Sequence, residues 1–200
     1  MYELTDLFEI KAFIKLPENF SSNKLYPVFI GFSGGEQSIE TAKYSADIFF
    51  SSKFFNEYIS IVPINTNNRN FKDYSSAEMT SLIEEVSKKY NVNNKGWAVA
   101  GISNGGKATY NFVSNNPLLY DKVATFPGGL FHNEPLENWS HLKIVLANGK
   151  KDGYSWLQES KSSFEKLANI VGNAEILVIP GQKHILSLDF NMDEIYSKLF

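Results

Sequence analysis

The five residues from Gly101 to Gly105, Gly-Ile-Ser-Asn-Gly, constrain the fold of this chain more than any other stretch. They follow a short apolar run, Trp97 to Ala100, which is typical of a buried parallel strand, and they precede apolar residues at helical spacing. A serine at the tip of a sharp strand-to-helix turn has a strained backbone, and glycine two positions away on either side avoids a steric collision. The pattern therefore predicts that Ser103 presents its hydroxyl beyond the end of a strand. A glycine-rich loop with a helix-capping serine is the alternative interpretation.

Short apolar strands alternate with amphipathic helices along the rest of the chain, which indicates an α/β fold in one domain spanning residues 1–200. Right-handed connections of this kind predict a mostly parallel, twisted sheet with helices on both faces, and the first strand is expected at an antiparallel edge. The predicted strands are 7–16, 25–32, 58–64, 97–100, 122–126, 142–148 and 174–179. The predicted helices are 39–50, 75–90, 105–116, 157–171 with Gly172 as its C-cap, and 192–199.

Composition excludes several classes of function. A net charge of −3 argues against nucleic acid as a partner, and the absence of cysteine excludes disulfides, thiolate catalysis and cysteine-bound metals. The three histidines show no spacing typical of a metal site, so neither a metal nor another cofactor is expected. An acidic N-terminal segment and the lack of a long apolar window predict a cytoplasmic protein without a membrane span. The oligomeric state stays open.

Three reactive side chains, Ser103, Asp152 and His184, each come just after a predicted strand. Because ligands of open α/β sheets bind beyond the carboxyl ends of the strands, we expect these side chains to converge. A serine hydroxyl needs a base to take its proton, and the base needs an acid that orients it. Both His132 and His141 lie in the connection before the predicted acid and are interpreted as surface or pocket-rim residues.

Two other carboxylates are candidates for the acid by residue type. Asp121 comes at the start of a strand, which is the wrong end of the sheet, and Asp189 follows the histidine. The chain order Ser, Asp, His is the order of α/β-hydrolases, and it favours Asp152.

On these motifs the chain resembles the α/β-hydrolase superfamily, and specifically its small, lidless carboxylesterases of the phospholipase/thioesterase-like type. The resemblance implies an oxyanion loop, a nucleophile, an acid and a base in four segments, Gly31-Phe-Ser-Gly-Gly35, Gly101-Ile-Ser-Asn-Gly105, Asn148-Gly-Lys-Lys-Asp152 and Gly181-Gln-Lys-His184. The implied oxyanion donors are the backbone N–H of Asn104 and that of Phe32 or Ser33. Members of this family often have His-Gly where this chain has Gly31-Phe32, so its oxyanion loop is atypical.

A short connection between the strands ending near 126 and beginning near 142 leaves no room for a cap domain, which predicts an open site. Hydrophobic side chains after strand ends are candidates for the substrate pocket, namely Leu130, Phe131, Trp139 and Trp156. The alternative is that most of them simply cover the edge of the sheet. The expected function is hydrolysis of a small-molecule carboxylic ester or thioester through an acyl-enzyme. An acyltransferase would use the same residues, and the atypical loop also suggests a non-catalytic protein that binds a ligand or partner.

Overall fold

A single eight-stranded sheet in the order β1-β2-β4-β3-β5-β6-β7-β8 runs through the protein in the computed structural model, which describes residues 1–7, 10–130, 134–153 and 155–200. The strands β1 and β2 pair antiparallel, as do β2 and β4, whereas all the other neighbours are parallel. The strands are β1 (Glu3–Leu7), β2 (Ile10–Lys15), β3 (Val28–Phe32), β4 (Ile59–Ile64), β5 (Trp97–Gly101), β6 (Tyr120–Thr125), β7 (Lys143–Gly149) and β8 (Asn173–Ile179).

Helices cover both faces of the sheet. The helices are α1 (Ile39–Phe49), α2 (Ser76–Lys89), α3 (Asn104–Asn115), α4 (Trp156–Ala168) and α5 (Asp193–Tyr196). One core cluster packs apolar residues of α2, α3 and α4 on one face, and a second packs α1 and α5 on the other. Alternate residues of the central strands supply both clusters, since Ile30 belongs to the first and Phe29 to the second.

The predicted α/β-hydrolase-type architecture is confirmed, although most of the predicted bounds differ from the observed ones by a few residues. The predicted first strand, 7–16, corresponds to β2 together with the last residue of β1, and the edge strand of the antiparallel pair is β1. Helix α4 ends at Ala168 with Asn169 as its C-cap, so Gly172 is not the cap. The closing helix α5 is a single turn, although Met192 and Leu199 on either side of it are buried as the apolar spacing predicted.

The order of the strands decides where the site lies. Strands β3 and β5 are the two central strands of the sheet, and the register pairs Phe32 with Gly101 at their carboxyl ends. The segments after β3 and β5 therefore lie side by side, and those after β7 and β8 lie at the same edge of the sheet.

Candidate active site

The turn between β5 and α3 holds Ser103 in a backbone conformation that L-residues rarely adopt, with φ 58° and ψ −117°. These angles are those of the first central residue of a type II′ turn, a position that glycine usually occupies. Ser103 is 8% exposed, and its side chain makes no capping hydrogen bond to α3. The structure therefore does not support the helix-capping interpretation of this serine.

The two glycines of the turn are required by close backbone contacts. A Cβ on Gly101 would lie 2.1 Å from the carbonyl oxygen of Gly105, and a Cβ on Gly105 would lie 2.1 Å from that of Phe32. Real Cβ atoms essentially never approach other atoms this closely, so a larger residue would displace the backbone that aims Ser103.

The structure brings Ser103, His184 and Asp152 together. The Ser103 Oγ lies 3.0 Å from Nε2 of His184, and the two carboxylate oxygens of Asp152 lie 3.2 and 3.1 Å from Nδ1 of the same ring. The Asp152 side chain is fully buried, whereas the His184 side chain is 15% exposed. The imidazole thus bridges a buried carboxylate and the largely buried Ser103 hydroxyl, and each ring nitrogen has one of these partners.

Backbone contacts between two loops hold the carboxylate next to the imidazole. The Lys150 N–H donates to the Ile179 carbonyl and the Lys151 N–H to the Gln182 carbonyl, at 2.9 and 2.8 Å. A Cβ on Gly149 would lie 2.1 Å from the Lys183 carbonyl oxygen, so glycine is needed for this approach. The loop after β7 is therefore tied to the loop after β8.

Two backbone segments near Ser103 offer hydrogen-bond donors. The Asn104 N–H, at the first position of α3, makes no backbone hydrogen bond within the described residues. Of the two predicted second donors, Ser33 is favoured over Phe32, because the register of Phe32 with Gly101 lies in the ladder between β3 and β5. Gly34 also lies against Ser103, since a Cβ on Gly34 would be 3.5 Å from the Ser103 Cβ. Its N–H is therefore a further candidate donor, which was not predicted from the sequence.

Trp156 flanks the imidazole. Its ring centroid lies 5.4 Å from that of His184, and the Nζ of Lys107 lies 4.6 Å from the centre of the same indole. The Lys107 ammonium also lies 3.6 Å from the carboxylate of Glu159. Among the predicted pocket residues, Trp156 is the one whose described contacts include the His184 ring.

The other predicted pocket residues lie elsewhere. Trp139 is fully buried in the core and stacks on Tyr110, so its ring does not line an open pocket. Leu130 packs against the same core cluster, and its backbone N–H donates to Ser163 Oγ at 2.9 Å. Phe131 lies outside the described residues.

An apolar cleft of about 420 Å³ lies next to Ile102, the residue that precedes Ser103. Its walls include Ile102, Ile185, Tyr44 and the backbone of Gly34. The Tyr44 hydroxyl donates to the Leu186 carbonyl at 3.0 Å, and burial raises the pKa of this phenol, which keeps its proton on the donor. The hydrogen bond fastens α1 to the loop that carries the imidazole.

The residues predicted to line the substrate pocket do not include the walls of this cleft. Its apolar walls come from α1 and from the immediate neighbours of the serine and the histidine, Ile102 and Ile185. The sequence does show that an isoleucine stands next to each of the two reactive residues, and this placement is the signal from which the cleft could have been predicted.

The alternative site residues lie away from this cluster where the structure describes them. His141 Nε2 lies near the carbonyls of Pro117 and Tyr120, at the amino end of β6, and Asp121 is at the same end. Asp189 is an exposed residue beyond His184. His132 lies outside the described residues.

Comparison with known proteins identifies the family. The profile of an esterase family, described as "Putative esterase", matches residues 8–184. The chain belongs to this family. Membership supports ester hydrolysis as the reaction class. No curated protein matches the sequence.

Solved structures of esterases share the fold. A thermostable esterase matches with a TM-score of 0.71 at 16% identity over 90% of this chain, which spans about half (54%) of that protein. A phospholipase/carboxylesterase from Dyadobacter fermentans matches with a TM-score of 0.66 at 18% identity, over 88% of this chain and 90% of that one. A ferulic acid esterase from the fungus Anaeromyces mucronatus matches with a TM-score of 0.66 at 18% identity, over 92% and 83% of the two chains.

Two further observations concern the described part of this esterase-family chain. In residues 1–7, 10–130, 134–153 and 155–200, no group of three His, Asp or Glu side chains is arranged to hold a metal ion. None of the helices in these ranges has the length and apolarity required to cross a bilayer.

Proposed function

We propose that this protein is a serine carboxylesterase that cleaves a small-molecule ester through an acyl-enzyme formed on Ser103. The observation that carries the proposal is the continuous contact from the serine hydroxyl through the imidazole to a buried carboxylate, with Oγ–Nε2 at 3.0 Å and Nδ1–Oδ2 at 3.1 Å. Nucleophilic acyl transfer requires a base within hydrogen-bond reach of the hydroxyl and a group that orients the base.

The reaction begins when Ser103 Oγ attacks the ester carbonyl carbon while its proton passes to Nε2 of His184. The resulting oxyanion accepts hydrogen bonds from the Asn104 N–H and from a backbone N–H of the Ser33–Gly34 segment. The bond to the leaving alcohol then breaks, and the alcohol oxygen takes the proton from His184. Water repeats the sequence on the acyl-enzyme, losing a proton to His184 and releasing the acid and free Ser103.

Asp152 has an orienting role in this proposal. Its buried carboxylate accepts a hydrogen bond from Nδ1–H of His184, which leaves the lone pair of Nε2 facing the serine. When Nε2 takes up a proton, the same carboxylate stabilises the imidazolium.

We assign the apolar cleft beside Ser103 to the acyl group. The walls supplied by Ile102, Ile185 and Tyr44 are apolar, and an acyl chain contributes apolar surface that leaves water on binding. The acyl group of a thioester would occupy the same cleft, so the proposal covers both substrate types.

Hydrolysis of a series of p-nitrophenyl esters by the wild type and by Ser103→Ala tests the proposal. We expect turnover by the wild type and a loss of at least about a thousandfold in kcat for the variant, because the nucleophile is absent. A fluorophosphonate probe should label the wild type and not the variant. Unchanged turnover by Ser103→Ala contradicts the proposal, and a wild type that neither turns over nor is labelled indicates a binding protein.

A further inference from the structure

The side chain of Gln37 is the most constrained polar group near the proposed oxyanion site. It lies between β3 and the N-cap of α1, it is fully buried, and its backbone has a φ of 60°. A residue with a side chain is strained at this φ, and a buried amide costs free energy unless it is hydrogen-bonded. A position with both features needs compensating contacts.

Those contacts connect the loop after β3 to the segment after β4. The Gln37 Nε2 donates to the Ser33 carbonyl at 3.0 Å, and its Oε1 accepts from the Phe71 N–H at 2.7 Å. The backbone N–H of Gln37 donates to the Gly34 carbonyl at 3.2 Å, and its carbonyl accepts from the Asn65 N–H at 2.9 Å. One residue thus hydrogen-bonds to two consecutive residues of the proposed oxyanion loop.

The amide of Gln37 matches the hydrogen-bonding needs of its two partners. The Ser33 carbonyl can only accept, and the Phe71 N–H can only donate, so the side chain must offer a donor on one side and an acceptor on the other. An ionised carboxylate of the same shape offers no donor, and an apolar side chain offers neither group.

Two consecutive peptide planes after β3 are fixed by these bonds. The Phe32 carbonyl accepts from the Ile102 N–H at 3.0 Å, and the Ser33 carbonyl accepts from Gln37. Because the peptide unit is planar and trans, the direction of each carbonyl sets the direction of the following N–H. The N–H groups of Ser33 and Gly34, the two candidates for the second oxyanion donor, are therefore both oriented.

We propose that Gln37 is a positioning residue for the oxyanion site, and this inference rests on the proposed esterase function. It holds the Ser33–Gly34 peptide so that a backbone N–H faces the oxyanion before substrate arrives. Preorganised donors stabilise the transition state more than the ground state. Loss of Gln37 should therefore lower kcat and leave KM nearly unchanged.

Gln37→Met tests the proposal with a side chain of similar length that cannot make either hydrogen bond. We expect kcat for p-nitrophenyl acetate to fall by about 10- to 100-fold, because a small displacement of a catalytic group has this effect. We expect KM to stay within about threefold of the wild type. The control is Ser160→Ala, which removes a buried hydrogen bond to the Gly128 carbonyl, and its kcat should stay within about threefold.

Gln37→Glu provides a second measurement, which decides the question if Gln37→Met does not fold. A protonated glutamic acid can donate to Ser33 and accept from Phe71, whereas the ionised form cannot donate. Burial can raise the pKa of a glutamic acid to about 8–9. The ratio of variant to wild-type kcat should therefore decrease as the pH is raised from about 6 to about 9.5. The titration of His184 is common to both proteins and cancels in this ratio.

The outcomes separate the two proposals. A folded Gln37→Met with kcat within about threefold of the wild type overturns the positioning role, and so does a Gln37→Glu ratio near one throughout the pH range. A loss of activity that Ser160→Ala shares, or that appears in KM alone, also overturns it. Failure of the proposed function itself is recognised separately, because the turnover of the wild type would then not depend on Ser103.

Discussion

The backbone strain at Ser103 should be measurable by comparing Ser103→Gly with Ser103→Ala. Both variants lack the hydroxyl and its hydrogen bond to His184, so the difference between them reports on the Cβ atom alone. With φ at 58° and ψ at −117°, alanine keeps the strain of the turn and glycine releases it.

The expected difference follows from two opposing terms. A residue held in such a sparsely populated region costs about 1–3 kcal/mol. Glycine makes the unfolded chain more flexible, which offsets about 0.4–1 kcal/mol of the gain. We therefore expect the glycine variant to be more stable by about 1 kcal/mol, which corresponds to a Tm higher by about 2–4 °C in a chain of this length.

Thermal unfolding followed by circular dichroism, together with urea unfolding, measures this difference. The matched control compares Ser81→Gly with Ser81→Ala on the exposed surface of the helix α2. At this helical position the order of stability of the two variants should reverse. There the glycine variant should be less stable than the alanine variant by about 1 kcal/mol. If Ser103→Ala is as stable as Ser103→Gly or more stable, the strain at the turn is not what the angles indicate.

Two further results are expected. Replacing the half-exposed Ile185 by tryptophan should fill the apolar cleft. We expect kcat/KM for long-chain p-nitrophenyl esters to fall at least about tenfold more than kcat/KM for the acetate. An equal effect on all chain lengths would contradict the assignment of the cleft to the acyl group. Burial raises the pKa of Tyr58 from 10.0 to about 12. Because such a phenol ionises more easily in the unfolded chain, its contribution to stability should be intact below pH 10 and lost as the pH rises towards about 12. Tyrosinate absorbance should then rise together with the loss of helical circular dichroism, whereas full ionisation near pH 10 in a folded protein would contradict this. Burial raises the pKa values of the fully buried Tyr110, Tyr120 and Tyr196 in the same direction.

Local signals in the sequence were sufficient for most of the elements. Ser75 and Glu78 have the spacing of a capping box in the sequence, and the box is present at the start of α2, because its two hydrogen bonds depend only on neighbouring residues. The end of α4 was misplaced, since the apolar spacing continues to Val171 while the helix stops at Ala168. Val171 is nevertheless buried, so the apolar spacing predicted the burial of this residue correctly but wrongly predicted that it is helical.

The pocket was harder to predict because burial depends on the whole fold. Trp139 and Trp156 both follow strand ends in a similar way, yet the first is enclosed in the core and the second lies against His184. Sequence position alone does not distinguish an aromatic ring that covers the sheet from one that faces the site.

The sequence by itself determined the class of fold and the turn around Ser103, because glycine spacing, apolar periodicity and chain order are local properties that translate directly into backbone conformation. Only the tertiary structure decided which groups surround the serine. Gln37 reaches the Phe71 N–H across 34 positions of sequence, and Tyr44 reaches the Leu186 carbonyl across 142. Such contacts exist only once the sheet has brought the segments after β3, β4 and β8 together, since a polar side chain chooses its partner by distance and direction in space.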